Sequence, residues 1–351
     1  MSLHQNYQNV QRIIIVGTNW LGDSVITIPT IYGIRSLFPQ AHISILARET
    51  VSDIFLAVPV IDEIIRVKKS KGLKKIFTMI QMAYSLRKNK FDMAVIFPRS
   101  LETALTCFLS RIPTRVGFHA GARDLFLSEA LPRDDAALST HQVNYYKRLL
   151  APLGKAVFPE LPFLKLSDSK KEWAQKFLSS AGNIGHAFTV GLNPGAIYGP
   201  AKQWSTDRFM ELARRLSSDH DCEIVIFGDK NTSPLARAIN NKINGKAIDT
   251  TGKTDVLQLA ALLESCDILV TNDTGPMHVA CAVGTSVVAI FGSTDPKITS
   301  PLGPDAVVLQ KPASCSPCLK RECPEGHYVC LKNITVDDVE TAVLKQLNTC
   351  R

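Results

Sequence analysis

The chain has 351 residues, 45% of them hydrophobic, enough for about two domains at roughly 150 residues each. A formal net charge of +8 and a pI near 9.0 point to an anionic partner, whether nucleic acid, a phospholipid surface or a phosphorylated substrate. Residues 1–9 are polar and no apolar run nears the roughly 20 residues that span a bilayer, so neither secretion nor membrane insertion is expected, a cytoplasmic protein is, and nine cysteines, an odd count, read as reduced thiols.

The first apolar run, residues 13–16, reads as a strand and opens into Gly17-Thr18-Asn19-Trp20-Leu21-Gly22-Asp23-Ser24. The glycine spacing is that of a phosphate-binding loop, but Asp23 stands where the lysine belongs. A carboxylate there repels phosphates, so the turn suits a neutral group that must lose a proton, and Asp23 is the candidate general base. A helix is expected over 25–38, strands over 43–47 and 64–67, a helix over 72–87, a strand over 93–97, a helix over 101–109, a strand over 115–118 and a helix over 141–153. Basic residues crowd Arg66, Lys68, Lys69, Lys71, Lys74 and Lys75, and the helix that follows ends in Arg87, Lys88 and Lys90. Such a helix can rest on anionic lipid, although base rates favour a solvated helix whose Ile76, Ile80 and Tyr84 side lies in the core.

The proline-bearing stretch 158–170 suits a linker and places a domain boundary between 1–165 and 166–351. The second half restarts the alternation with strands at 188–192, 223–227, 268–271 and 287–291 and helices at 206–216, 233–241, 256–264, 275–282 and 336–347; the last of these helices can pack back on the first domain. The pattern is α/β: two Rossmann-like open parallel sheets whose carboxyl ends can face each other across a cleft. Neither half carries Gly-x-Gly-x-x-Gly after a strand, which argues against a dinucleotide site. After residue 192, Gly195, Ala196 and Gly199 permit close backbone approach and Lys202 adds a cation, a combination suited to a diphosphate. After residue 271, Asn272-Asp273-Thr274-Gly275-Pro276-Met277-His278 places amides at a helix start, where the dipole favours an anion. Asp229, after a third strand, could meet ribose hydroxyls or simply close a surface turn.

Together these residues resemble the ADP-heptose:lipopolysaccharide heptosyltransferases, inverting glycosyltransferases of the GT-B architecture, and within them most closely the heptosyltransferase II branch. The carriers are Asn19-Trp20-Leu21-Gly22-Asp23, Arg115-Val116-Gly117-Phe118, His141-Gln142-Val143-Asn144-Tyr145-Tyr146, the 193–204 segment, the 272–278 segment and the cysteine-bearing tail. The resemblance implies that the first domain holds a lipid A-Kdo-heptose acceptor, with Asn19 and Trp20 on that side, and the second holds ADP-heptose. It implies that Asp23 is the base, that Lys202 contacts the donor, and that Asp273, Thr274, Gly275 and His278 form the donor loop. Arg99, Arg115, His119 and Arg123 could meet acceptor phosphates or carboxylates, although any one alone reads as an ordinary surface cation.

A diphosphate neutralised by Lys202 and backbone amides needs no divalent metal, and no Asp-x-Asp motif lies near the donor strands, so no metal or other cofactor is expected. The rival signal is Cys315-x2-Cys318-x4-Cys323-x6-Cys330 with His327 inside, which could hold zinc and would suggest a nucleic-acid-binding module. Its spacing is not that of a familiar zinc ribbon and no basic-aromatic stripe accompanies it, so no nucleic-acid partner is expected; similar cysteine tails occur in the resembling family without a catalytic metal role, and the resemblance therefore implies free or redox-sensitive thiols. The resemblance further implies contact with the cytoplasmic face of the inner membrane.

Overall fold

The computed structural model describes residues 7, 9–68, 70, 72–182, 186–303 and 305–349. Most of the polar leader, Lys69 and Lys71 of the basic stretch, and Cys350 lie outside the described residues. The chain divides into two compact units, Met1–Phe163 and Leu164–Arg351.

Among the described residues each unit carries one six-stranded sheet, parallel throughout. The first contains β1 (Arg12–Val16), β2 (His42–Arg48), β3 (Glu63–Val67), β4 (Met93–Ile96), β5 (Thr114–Phe118) and β6 (Glu129–Leu131), in the order β3-β2-β1-β4-β5-β6. The second contains β7 (Phe188–Asn193), β8 (Cys222–Ile226), β9 (Ile248–Asp249), β10 (Ile268–Asn272), β11 (Ser286–Ile290) and β12 (Ala306–Leu309), in the order β12-β11-β10-β7-β8-β9. The two orders are the same pattern read in opposite directions. In both, the winding reverses between two central strands, β1 with β4 and β7 with β10. Ligands of such sheets bind at the carboxyl ends of the strands at that reversal.

The central strands are continuous apolar runs because helices cover both faces of a parallel sheet. Ile13, Ile14 and Ile15 are fully buried, as are Leu269 and Val270. In the second unit Trp204 is fully buried, donates Nε1–H to the Ile334 carbonyl at 2.9 Å and meets Phe209 edge-on at 5.0 Å. The last helix, Val336–Thr349, adds Val339, Val343 and Leu347 to this same core.

Several elements differ from expectation. The first helix starts at Leu21, so Asp23 lies in its first turn and not in the loop before it. The segment 141–153 breaks into an α-helix, Gln142–Lys147, and a 3-10 turn, Arg148–Leu150. The expected linker buries Phe163, Leu164 and Leu166 and runs into an unanticipated helix, Asp168–Ser180, where Trp173 stacks on Phe177 at 5.2 Å. The helix Leu73–Lys88 turns its Leu86 side inward, beside Ala104 and Cys107, and leaves Ile76, Phe77, Ile80 and Tyr84 each more than half exposed. The expectation that the Ile76, Ile80 and Tyr84 side lies in the core is therefore overturned. The helix has two apolar stripes, and the sheet-facing layer accepts only one. Among the described residues no helix is long and apolar enough to cross a membrane.

Candidate active site

In the first unit the chemistry gathers where β1 and β4 end. Thr18 and Ser24 hydroxyls pair at 3.0 Å across the start of the helix Leu21–Leu37, fixing the turn that carries Asp23. Asn19 and Trp20 stand exposed just before it, Trp20 by 60%. Asp23 lies close enough to Tyr146 that its carboxylate, after burial, helps push the phenol well above its ordinary range. Tyr146 packs edge-on against Phe97, which follows β4, at 5.4 Å, while Tyr145 stacks on Phe118 at the end of β5 at 3.9 Å. Arg99, two residues past Phe97, is exposed.

Arg123 is the unusual group here. It is only 1% exposed, and none of its three guanidinium nitrogens has a hydrogen-bond partner among the described residues. Burial pulls its pKa down, opposed by the adjacent Asp124 carboxylate and reinforced by the like charge of Arg99. Gly117 makes the room: a Cβ there would come within 2.8 Å of Arg123 Nη2. A buried guanidinium without hydrogen-bond partners costs several kcal/mol, which an anion placed against it would offset. Replacing it as Arg123→Met should leave the denaturation midpoint unchanged or higher, because a desolvated charge is removed, while raising the KM for an anionic acceptor about tenfold. Chemical denaturation beside steady-state kinetics checks both halves.

The neighbouring cations are differently employed. Arg115 donates Nε–H to the Phe126 carbonyl at 2.7 Å and Nη1–H to the Ile112 and Pro113 carbonyls, and its guanidinium lies over the Phe108 ring at 5.4 Å. His119 pairs with Asp124. The structure thus brings Asp23, Arg99 and Arg123 to one end of the sheet, with Arg115 holding the loop that carries Arg123.

In the second unit the reversal point between β7 and β10 is laced by side-chain amides. Asn193 Nδ2 donates to Thr271 and Thr274 hydroxyls, each at 2.8 Å, and Asn272 Nδ2 donates to the Pro194 carbonyl at 2.9 Å while its Oδ1 accepts the Trp204 amide at 3.0 Å. These bonds seat the Gly195 to Lys202 loop beside the start of the helix Gly275–Val283. Lys202 Nζ donates to Asp273 Oδ2 at 2.5 Å and sits 4.8 Å from the centre of the Tyr198 ring; the two charged side chains are 13% and 4% exposed. Thr294, beyond β11, donates its hydroxyl to the same carboxylate oxygen at 2.7 Å. No side chain caps the helix at Thr274, because Asn193 holds that hydroxyl, and its first amides therefore suit an anion. His278 is buried inside this helix at 5% exposure.

Gly195 and Gly228 pack against Thr232 so closely that a Cβ on either would come within 2.5 Å of it. Asp229 caps that same turn, accepting the Thr232 amide at 3.1 Å and hydroxyl at 2.9 Å. Its geometry is that of a turn-closing carboxylate. Ala196 follows Gly195 in the same loop.

The cysteine tail braces this loop from behind. The Arg321 carbonyl accepts the Ala201 amide at 3.0 Å, the Leu319 carbonyl accepts the Tyr198 hydroxyl at 2.8 Å, and the Leu319 amide donates to the Ser293 carbonyl at 2.7 Å. Gly199, at φ +148°, has room for no side chain, since a Cβ would lie 2.4 Å from the Arg321 carbonyl oxygen. Cys315, Cys318, Cys323 and Cys330 are free thiols, and among the described residues no group of three or more His, Cys, Asp or Glu could hold a metal ion.

Asn193, Asn272, Thr294 and Tyr146 were not singled out from sequence as site residues. Asn193, Asn272 and Tyr146 nevertheless lie in segments that carry the resemblance, whereas Thr294 had no signal beyond its place after a strand.

A model of glycosyltransferase family 9 (heptosyltransferase) matches residues 79–329. The lipopolysaccharide heptosyltransferase 2 of Escherichia coli K12 is 28% identical over 349 residues, covering 96% of this chain and 97% of that protein. The solved structure of E. coli ADP-heptose lps heptosyltransferase II superposes with a TM-score of 0.81 at 25% identity, covering 97% of this chain and 99% of that one. A family 9 glycosyl transferase from Veillonella parvula superposes with a TM-score of 0.88 at 26% identity, over 97% and 98% of the two chains. The two parallel sheets are those of the GT-B fold of these structures.

Proposed function

The chain belongs to glycosyltransferase family 9, the heptosyltransferases, and from that premise we propose that it moves heptose from ADP-heptose to the first heptose of the lipopolysaccharide inner core by one inverting displacement. One observation carries this reading: in each sheet the reactive side chains converge on the carboxyl ends of the two strands where winding reverses. The first unit offers a carboxylate at that reversal and, past the neighbouring β5, a buried guanidinium without hydrogen-bond partners among the described residues, and the second offers a lysine beside an uncapped helix start.

In this mechanism Asp23 accepts the proton of the attacking hydroxyl as the oxygen closes on the anomeric carbon opposite the departing ADP. Positive charge spreads over the ring, as in glycoside hydrolysis, and negative charge grows on the leaving diphosphate. Lys202 and the amides of Thr274 and Gly275 meet that charge, and they stabilise it more in the transition state than in the bound donor. Asp273 and Thr294 keep the ammonium aimed. Arg123, with Arg99 nearby, binds an acidic group of the lipid A-Kdo-heptose acceptor, and the enzyme works at the cytoplasmic face of the inner membrane. No divalent cation is required.

The test is transfer of labelled heptose from ADP-heptose, set against UDP- and GDP-sugars, to lipid A-Kdo acceptors with and without the first heptose, in buffer and in EDTA. Transfer should need ADP-heptose and the heptose-bearing acceptor, survive EDTA and give the inverted anomer. Equal transfer from another nucleotide sugar, or to the heptose-free acceptor, overturns the reading.

A further inference from the structure

The helix Leu73–Lys88 presents an outward face that the proposed chemistry does not use. Ile76, Phe77, Ile80 and Tyr84 are 56%, 62%, 53% and 63% exposed. At 3.6 residues per turn they fall within an arc of about 100°, so they form one stripe along the helix. Scattered apolar residues on a surface need no explanation, but four of this size on one helix face do.

The charge around the stripe identifies its partner. Residues 64–91 contain nine Lys and Arg and no Asp or Glu, against a whole-chain surplus of eight, so the rest of the chain carries a formal charge of −1. The protein's basic character therefore resides in this one segment. Arg87, Lys88 and Lys90 are exposed at the end of the stripe, and Lys88 Nζ stands 4.8 Å from the centre of the Tyr84 ring. Lys75 is tied to Glu102 at 2.8 Å, which joins the start of this helix to the next one.

Nucleic-acid bases could stack on Phe77 and Tyr84 but would leave Ile76 and Ile80 without an apolar partner, and a second copy of the chain pairing through the same face would set Arg87, Lys88 and Lys90 against like charges. An anionic bilayer satisfies both features, with headgroup phosphates for the Lys and Arg and the acyl boundary for Ile, Phe and Tyr. We propose that the outward face of the helix Leu73–Lys88 docks the first unit onto an anionic phospholipid surface, by insertion of Ile76, Phe77, Ile80 and Tyr84 within a basic rim. This deepens the inner-membrane reading above by naming the surface that makes the contact.

The experiment is sedimentation of the full chain with vesicles of phosphatidylcholine alone or with one third phosphatidylglycerol, without donor or acceptor, so its outcome is independent of whether the enzyme transfers heptose. Wild type should partition onto the phosphatidylglycerol vesicles at least about tenfold more strongly than onto neutral ones, with the difference shrinking in high salt. The double variant Phe77→Ser/Ile80→Ser should lose about tenfold in partitioning, and Arg87→Glu/Lys88→Glu a similar amount. Both variants should keep wild-type turnover on a short delipidated acceptor. Three results would overturn the proposal: no vesicle binding, binding untouched by Phe77→Ser/Ile80→Ser, or a wild-type self-association that this variant abolishes and that alone accounts for sedimentation.

Discussion

Asp23→Asn is expected to lower turnover by about 10³-fold while leaving ADP-heptose affinity within about twofold, because a positioned general base contributes roughly 10²–10⁴ to such a step. The substitution is nearly isosteric. Asp23 occupies the first turn of its helix, where a carboxylate also favours the dipole by a few tenths of a kcal/mol to about 1 kcal/mol, so a small loss of stability accompanies the change. That loss cannot account for three orders of magnitude in rate. Single-turnover transfer and calorimetric donor binding separate the two effects, and turnover within tenfold of wild type would remove Asp23 from the base role. The phenol of Tyr146 supplies an internal gauge. The Asp23 carboxylate raises its pKa in addition to burial, so Asp23→Asn should lower the Tyr146 titration toward its ordinary range.

Lys202→Met is the second large effect, with turnover falling by about 10²–10³-fold, the usual consequence of removing one preorganised group from a developing negative charge. Here stability and chemistry are entangled. Asp273 is 4% exposed and, among the described residues, would keep only the Thr294 hydroxyl as a side-chain partner, so the single variant also loses about 3 kcal/mol for a stranded buried charge. The double variant Lys202→Met/Asp273→Asn should recover most of that stability and none of the rate. If turnover returned with stability, Lys202 would be a structural cation and the diphosphate would depend on the helix amides alone. Thermal denaturation beside kcat, on the same samples, distinguishes the two.

The legible parts of the molecule were those where one residue type has one use. The continuous apolar runs at 13–16 and 268–271 read as buried parallel strands, and they make up most of β1 and most of β10. The edge strands Glu129–Leu131 and Ile248–Asp249 were invisible, because two or three residues carry no period. Asp168–Ser180 was hidden by its polarity and by the prolines before it. For the helix Leu73–Lys88, periodicity picked out the Ile76, Ile80 and Tyr84 side as the core face, and it could not show that the Leu86 side is apolar too. Packing against Ala104 and Cys107 selects the Leu86 side. Arg123 was missed as a buried group for a similar reason. In Gly121-Ala122-Arg123-Asp124 it looks like any loop cation, and only the 3-10 turn Gly121–Phe126, folded beneath Gly117, takes its guanidinium out of water.

The loop that holds Lys202 is stitched along its length, by Asn272 at one end, by the Leu319 and Arg321 carbonyls in the middle and by Asp273 at the lysine itself. In the proposed role, a phosphate-gripping segment free to wander would have to freeze anew for every donor molecule. This one is immobilised when the polypeptide folds, so the entropy of arranging its dipoles is settled once in the protein's lifetime instead of once per catalytic cycle.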